Sequence, residues 1–171
     1  MLVRPVSAAD LGAIQSIYAH HVLHGTASFE ETPPTVQEMR DRFDDVVSRG
    51  LPYVAAEESG EVLGYGYCTL YRTRSAYRYT LEDSVYVREG KHRKGVGGAI
   101  LAALIERSEA LGYRQLIAVI GDRGQAASIG LHASLGFLRA GMLRSVGFKF
   151  GKWVDTVIMQ RPLGRGDGIR P

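Results

Sequence analysis

The chain has 171 residues, 45% of them hydrophobic and 23% charged, which is enough to bury one sizeable core and lies near the globular average. Its net charge of +3 comes from 21 basic and 18 acidic residues that are mostly interspersed, so the clustered basic footprint of a nucleic-acid binder is missing. Cys68 is the only cysteine, which excludes an intramolecular disulfide, and no stretch reads as a membrane span or secretory signal, so a cytoplasmic setting is the expectation.

Residues 2–6 alternate as a short strand. Ser7 and Asp10 then open a helical pattern that carries Leu11, Ile14, Ile17, Tyr18 and Val22 and stops at Gly25. After Pro33 and Pro34, Thr35-x-x-Glu38 is a capping box for a second helix, with Met39, Phe43, Val46 and Val47 inward and Gly50 beyond its end. Runs over 53–57 and 61–70, separated by Ser59 and Gly60, predict a hairpin, and a further strand covers 80–87. Cys68 sits inside the second of these runs and reads as a small buried hydrophobe rather than a reactive thiol.

A third helix with Ile100, Leu101, Leu104 and Ile105 at core spacing runs to 111 and meets Gly112 as its stop. Strand 115–120, a helix over 126–135 closed by Gly136, and strands over 138–143 and 152–160 complete the set. The segment Met142 to Phe148 is apolar enough for core or for a contact between two copies. The sum is an α/β chain with a mixed sheet: residues 1–163 as one domain, and 164–171 as a tail too glycine-rich and polar to pack.

Between the fourth strand and the third helix lies the run Arg88-Glu89-Gly90-Lys91-His92-Arg93-Lys94-Gly95-Val96-Gly97-Gly98. Backbone N–H groups at a helix N-terminus have no partner within the helix, and the helix dipole adds positive character there, so a phosphate satisfies both. The order of glycines fits poorly with the dinucleotide fingerprint, and the chain holds no Walker A string. The plain alternative is a strand-to-helix turn with solvated Lys91, Arg93 and Lys94. His20, His21 and His24 lack a further ligand cluster at metal spacing, so no metal is expected.

Taken with Leu116-Ile117-Ala118-Val119-Ile120 and Ala126-Ala127-Ser128-Ile129-Gly130-Leu131-His132, this order resembles the GNAT superfamily of acetyl-CoA-dependent N-acetyltransferases. His92 to Gly97 matches its pyrophosphate motif except at the first place, where glutamine or arginine is usual. The flanks Ala27-Ser28-Phe29-Glu30-Glu31-Thr32, Tyr71-Arg72-Thr73-Arg74-Ser75-Ala76-Tyr77, Glu82-Asp83-Ser84-Val85-Tyr86-Val87 and Gly147-Phe148-Lys149-Phe150-Gly151-Lys152-Trp153 are similar to the phosphinothricin and methionine sulfoximine or sulfone acetyltransferase branch.

The resemblance implies a central mixed, mostly antiparallel sheet flanked by about four helices. It implies acetyl-CoA as co-substrate, held by Val85, Tyr86, Val87, Arg93, Lys94, Gly95, Val96, Gly97 and Gly98. Gln125 stands where related sequences usually place an asparagine against the cofactor. Glu82 is the implied general base, with a surface ion pair to Arg74 or Arg78 as its alternative. His132 is the implied proton donor to the departing thiolate, or else a histidine that only contacts core or cofactor.

The implied acceptor pocket takes in Phe29, Glu30, Arg72, Arg74, Ser75, Ala76 and Tyr77, with the two arginines suited to a substrate carboxylate. A carboxylate at Glu30 would repel a phosphinate, which favours methionine sulfone or sulfoximine as the amine over phosphinothricin. A homodimer is also implied. A non-catalytic acyl-CoA-binding regulator is the reading from a different class, and neither a nucleic acid nor a membrane is expected as partner.

Overall fold

The structure is a computed structural model and describes residues 1–121 and 126–170. Seven strands form one sheet in the order β1 (Leu2–Pro5), β2 (Tyr53–Glu58), β3 (Glu61–Leu70), β4 (Thr80–Val87), β5 (Gln115–Gly121), β7 (Lys152–Pro162), β6 (Leu138–Lys149). Every neighbouring pair is antiparallel except β4 and β5, so the expected mixed, mostly antiparallel sheet is present. Four helices cover it: α1 (Leu11–His24), α2 (Val36–Ser48), α3 (Val96–Ala110) and α4 (Ala126–Ser134).

Local sequence accounts for most of these elements. The five apolar residues of α1 singled out by their spacing are all buried. At the start of α2 the capping box is closed in both directions: the Glu38 N–H donates to Thr35 Oγ1 at 3.2 Å, and the Thr35 N–H donates to Glu38 Oε2 at 2.6 Å. Met39 and Val46 face inward, but Val47 is 46% exposed. One further residue turns a helix by about 100°, which carries Val47 off the narrow inner stripe.

The register of β3 assigns the helices to opposite faces, because side chains alternate along a strand. Tyr65 and Tyr67 share one side with α1 and α2. Gly64 and Gly66 open the other side to α3. A Cβ on Gly66 would lie 2.6 Å from Ile100 Cγ2 and 2.8 Å from the Ser84 carbonyl oxygen, so only glycine lets α3 come this close. The parallel connection from β4 to β5 runs through α3, which returns the chain to the same end of the sheet.

The last hairpin extends beyond the expected limits. β6 reaches Lys149 because a bulge lets Leu143 to Gly147 pair against the shorter step Thr156 to Val154, and such extra residues break the alternation that marks a strand in sequence. β6 is an edge strand and mostly exposed: within the apolar segment Met142 to Phe148, Met142 packs against the core while Leu143, Val146 and Phe148 are exposed. Past Pro162 the chain turns twice, with the Gly166 N–H donating to the Leu163 carbonyl at 2.8 Å and the Gly168 N–H to that of Arg165 at 3.0 Å.

Gly66→Ala is expected to lower the free energy of unfolding by about 1–3 kcal/mol, read from denaturant titration, because the added methyl meets both side chain and backbone. An unchanged midpoint would contradict the close approach of α3.

Candidate active site

β4 and β5 pair only from Thr80/Gln115 to Asp83/Ala118, although β4 continues to Val87 and β5 to Gly121. Beyond that point the two strands part. The resulting notch is lined by Asp83 to Tyr86 on one side and Ala118 to Gly121 on the other, with Ala27, Ser128 and His132 around it. Main-chain groups on the inner edges of both strands therefore have no strand partner across the gap. That is the geometry in which an extended ligand adds itself as a strand.

The glycine-rich turn leads from the end of β4 into α3. Arg93 (φ 60°) and Gly95 (φ 79°) both take the left-handed backbone conformation, which folds successive N–H groups toward one side as an anion-binding nest. No side chain caps α3, and its first internal bond runs from the Ala99 N–H to the Gly95 carbonyl. Among the described residues nothing takes the N–H groups of Val96, Gly97 and Gly98, which leaves them for an anion, with Arg93 and Lys94 exposed beside them. Lys91 and Arg88 turn away to Glu61, at 2.9 and 3.5 Å, and fasten the turn to β3. The Val87 carbonyl is taken by His21 Nε2 at 2.9 Å. Gln125 lies outside the described residues.

Successive residues of β4 point to opposite faces, so Glu82 faces the α1/α2 side and Asp83 the α3/α4 side. Glu82 is half-buried and has no ion pair among the described residues, which removes the surface pairing with Arg74 or Arg78. Burial pushes its carboxyl above the usual carboxylate range and the charge of Asp83 pushes it further, while Arg72 pulls it back. On this same face lies a cavity of about 370 Å³, walled by Tyr18, Tyr53, Tyr65 and Tyr67 and reaching Thr69, the β3 residue opposite Glu82.

His132 is buried, with Nε2 2.9 Å from Asp83 Oδ2 and Nδ1 2.8 Å from the Ser128 carbonyl oxygen. Burial alone would lower its pKa, but the bonds to Asp83 and Ser128 and the Asp83 charge outweigh burial, so it ends above the ordinary imidazole value. Cys68 is buried as expected, and burial pushes its thiol far up, which leaves no reactive thiolate.

Phe29 sits in a slot between two glycines: a Cβ on Gly121 would be 2.6 Å from its ring and one on Gly147 2.5 Å. This brings it to the β5 end of the notch. Glu30 turns elsewhere, held by Arg42 at 2.7 and 3.2 Å and by the Tyr18 hydroxyl at 2.9 Å. Burial would raise its pKa, yet these bonds prevail and lower it. Glu30 and Arg42 together carry no net charge, so the expected repulsion of a phosphinate by a bare carboxylate does not arise here. Arg72 stacks over Tyr71 at 4.5 Å, and Arg74, Ser75, Ala76 and Tyr77 form an exposed turn before β4; none of these five lines the notch.

Three residues that shape this region were assigned no role from the sequence: Asp83, Arg42 and Lys149. Lys149 is 2% exposed and donates to the carbonyls of Gly25 at 2.9 Å and Ser28 at 2.7 Å, which closes the C-terminal end of α1 and the following loop onto β6. Burial lowers its pKa. The partners lie 124 and 121 residues away, so no local pattern announces the contact. Among the described residues no group of histidine, cysteine or acidic side chains is placed to hold a metal, and no helix is long and apolar enough to cross a membrane.

The family model of an acetyltransferase (GNAT) domain matches residues 3–158, a span that takes in both the parting strand pair and the glycine-rich helix start; the chain belongs to this family of acetyltransferases. Within it, the chain is 59% identical over 169 residues to a phosphinothricin N-acetyltransferase of Alcaligenes faecalis, covering 99% of this chain and 86% of that one. It is 43% identical to an L-methionine sulfoximine/L-methionine sulfone acetyltransferase of Pseudomonas aeruginosa over 92% of each chain. The crystal structure of a phosphinothricin acetyltransferase from Sinorhizobium meliloti in complex with acetyl-CoA superposes with a TM-score of 0.96 at 47% identity, covering 99% of this chain and 92% of that one.

Lys149→Met keeps the apolar stem but removes both donors to the loop carbonyls. It is expected to cost about 1–3 kcal/mol of stability in denaturant titration, with faster proteolytic cutting within residues 25–30. Wild-type stability would show that the clamp is dispensable.

Proposed function

We propose that this chain transfers the acetyl group of acetyl-CoA to the α-amine of a small amino acid analogue with a tetrahedral, oxygen-bearing sulfur or phosphorus centre. Methionine sulfone, methionine sulfoximine and phosphinothricin are the acceptors in question. The observation that carries this reading is the notch between β4 and β5 together with the turn from β4 into α3, where, among the described residues, the N–H groups of Val96 to Gly98 have no partner, and the carboxylate of Glu82 on the opposite face has no ion pair. The relatives support the class of acceptor.

In this reading Val96, Gly97 and Gly98, with Arg93, Lys94 and Gly95, hold the diphosphate through main-chain donors and positive charge. The inner edge of Val85 to Val87 hydrogen-bonds the arm of the cofactor, and a main-chain N–H there stabilises the charge that gathers on the acyl oxygen during attack. Acetyl-CoA supplies the acetyl group already activated as a thioester. Glu82 takes the proton the amine gives up as its nitrogen bonds to the acyl carbon, and His132 gives a proton to the sulfur as the carbon–sulfur bond breaks. No residue of the chain forms a covalent bond to the acetyl group.

The acceptor sits on the Glu82 face. Phe29 walls it from the β5 end, the tyrosine-lined cavity gives its side chain room, and Arg72 and Arg74, with the turn Ser75 to Tyr77, receive its carboxylate. Residues 1–163 are the enzyme's domain in this reading, and its setting is the cytoplasm. A homodimer is part of the proposal, supported by the edge strand β6 and its hairpin, where Leu143, Val146, Phe148, Phe150 and Trp153 are all exposed.

A thiol-release screen over these three analogues, proteinogenic amino acids, a peptide N-terminus and a polyamine tests the proposal; activity confined to the last two would overturn it. Glu82→Gln is expected to reduce kcat by about 10²–10⁴-fold while the KM for acetyl-CoA stays near wild type. Glu82 works as the carboxylate, so kcat should fall as pH drops through its raised pKa, above the usual carboxylate range. Turnover in the variant equal to wild type would remove Glu82 from the mechanism.

A further inference from the structure

His132 has no free ring nitrogen. Its two partners are a carbonyl oxygen and a carboxylate oxygen, at 2.8 and 2.9 Å, and both kinds of oxygen only accept when the carboxyl is ionised. A neutral imidazole carries one N–H and can satisfy only one of them, while the imidazolium satisfies both. The remaining oxygen of Asp83, Oδ1, is buried without a hydrogen-bond partner among the described residues, and Asp83 lines the notch. Side-chain exposure is 5% for His132 and 1% for Asp83, so water screens the pair little.

We propose that Asp83 is a positioning residue for acetyl transfer, holding His132 at the notch as an imidazolium through Nε2, while the Nδ1 proton, now given to the Ser128 carbonyl, is the one that passes to the departing sulfur. This rests on the reading of His132 as the proton source. The chemistry sets a conflict that Asp83 resolves. An aliphatic amine loses its proton most readily at alkaline pH, where a buried histidine without a counter-charge is neutral and has no acidic proton to give. After transfer His132 is neutral beside the carboxylate and regains a proton from solvent, and Glu82 releases the one it took from the amine.

Among the described residues the surroundings contain few other titratable groups. From β3 the buried Cys68 thiol lies opposite Asp83 in register, and α3 contributes only the Ser108 hydroxyl, 3.6 Å from Cys68 Sγ. The Phe137 ring meets the His132 ring edge-on at 4.9 Å. Glu82 is next in sequence on the opposite face, and the Asp83 charge reaches it through the strand. Removing that charge therefore acts on both groups, and in the same direction.

The test is the pH profile of kcat in Asp83→Asn, together with nitrogen NMR of His132 in the full chain. In the variant the alkaline limb is expected to move down by about 1–3 pH units, since His132 loses its counter-charge, and the acid limb to move down as well through Glu82. An alkaline limb that stays in place while only the acid limb moves would overturn the proposal. In the wild-type protein both ring nitrogens of His132 should read as protonated at neutral pH, and a neutral ring would overturn it even if the variant fails to fold. Full turnover in His132→Asn would instead sink the reading of His132 as proton source, and would leave the NMR result standing as a separate fact.

Discussion

The parting of β4 from β5 is the constraint on which the rest of the molecule depends. A parallel pair cannot be joined by a tight hairpin, so the chain must cross over through α3, and α3 must begin where β4 ends. The crossover helix thus presents its N-terminus at the mouth of the gap between the strands. Close packing of α3 on Gly64 and Gly66 fixes that position, and the left-handed turn at Arg93 and Gly95 folds the intervening loop back on itself. The anion cradle and the strand-like groove follow from one topological fact.

Alternation along β4 then separates two neighbouring carboxylates. Glu82 and Asp83 are neighbours in sequence but open onto opposite sides of the sheet, with the notch passing between the two faces. Burial raises the pKa of Glu82, and the bonds to Asp83 and Ser128 raise that of His132, which are the directions the proposed roles of base and acid require. In the proposed reading, a separation of this kind would place base and acid on either side of the reacting bond without a long loop to carry either. The proposed acceptor side would be built differently, from a loop fastened by Lys149 and by Phe29 in its glycine slot.

Much of this was legible in the sequence. Apolar spacing marked the buried face of α1, Thr35 and Glu38 marked the start of α2, and the glycine-rich run marked the turn before α3, because helix periodicity, capping and turns are local. Resemblance to the family then pointed to Glu82 and His132. Contacts between distant residues were not legible. His132 meets Asp83 across 49 positions, Arg42 neutralises Glu30 from a neighbouring helix, and Lys149 reaches back to the end of α1. Each is a tertiary pairing with no local period. The charge argument at Glu30 did not include Arg42 for that reason, and the length of β6 was hidden by a bulge that interrupts alternation.

The central claim is that the gap between β4 and β5 is the cofactor groove, and backbone amide NMR during titration with coenzyme A tests it most directly. The account predicts that the large shift changes fall on residues 84–87 and 95–99, with β1 and β2 unaffected. Changes gathered instead around Tyr53, Tyr65 and Tyr67, with the amides of the notch unmoved, would contradict it.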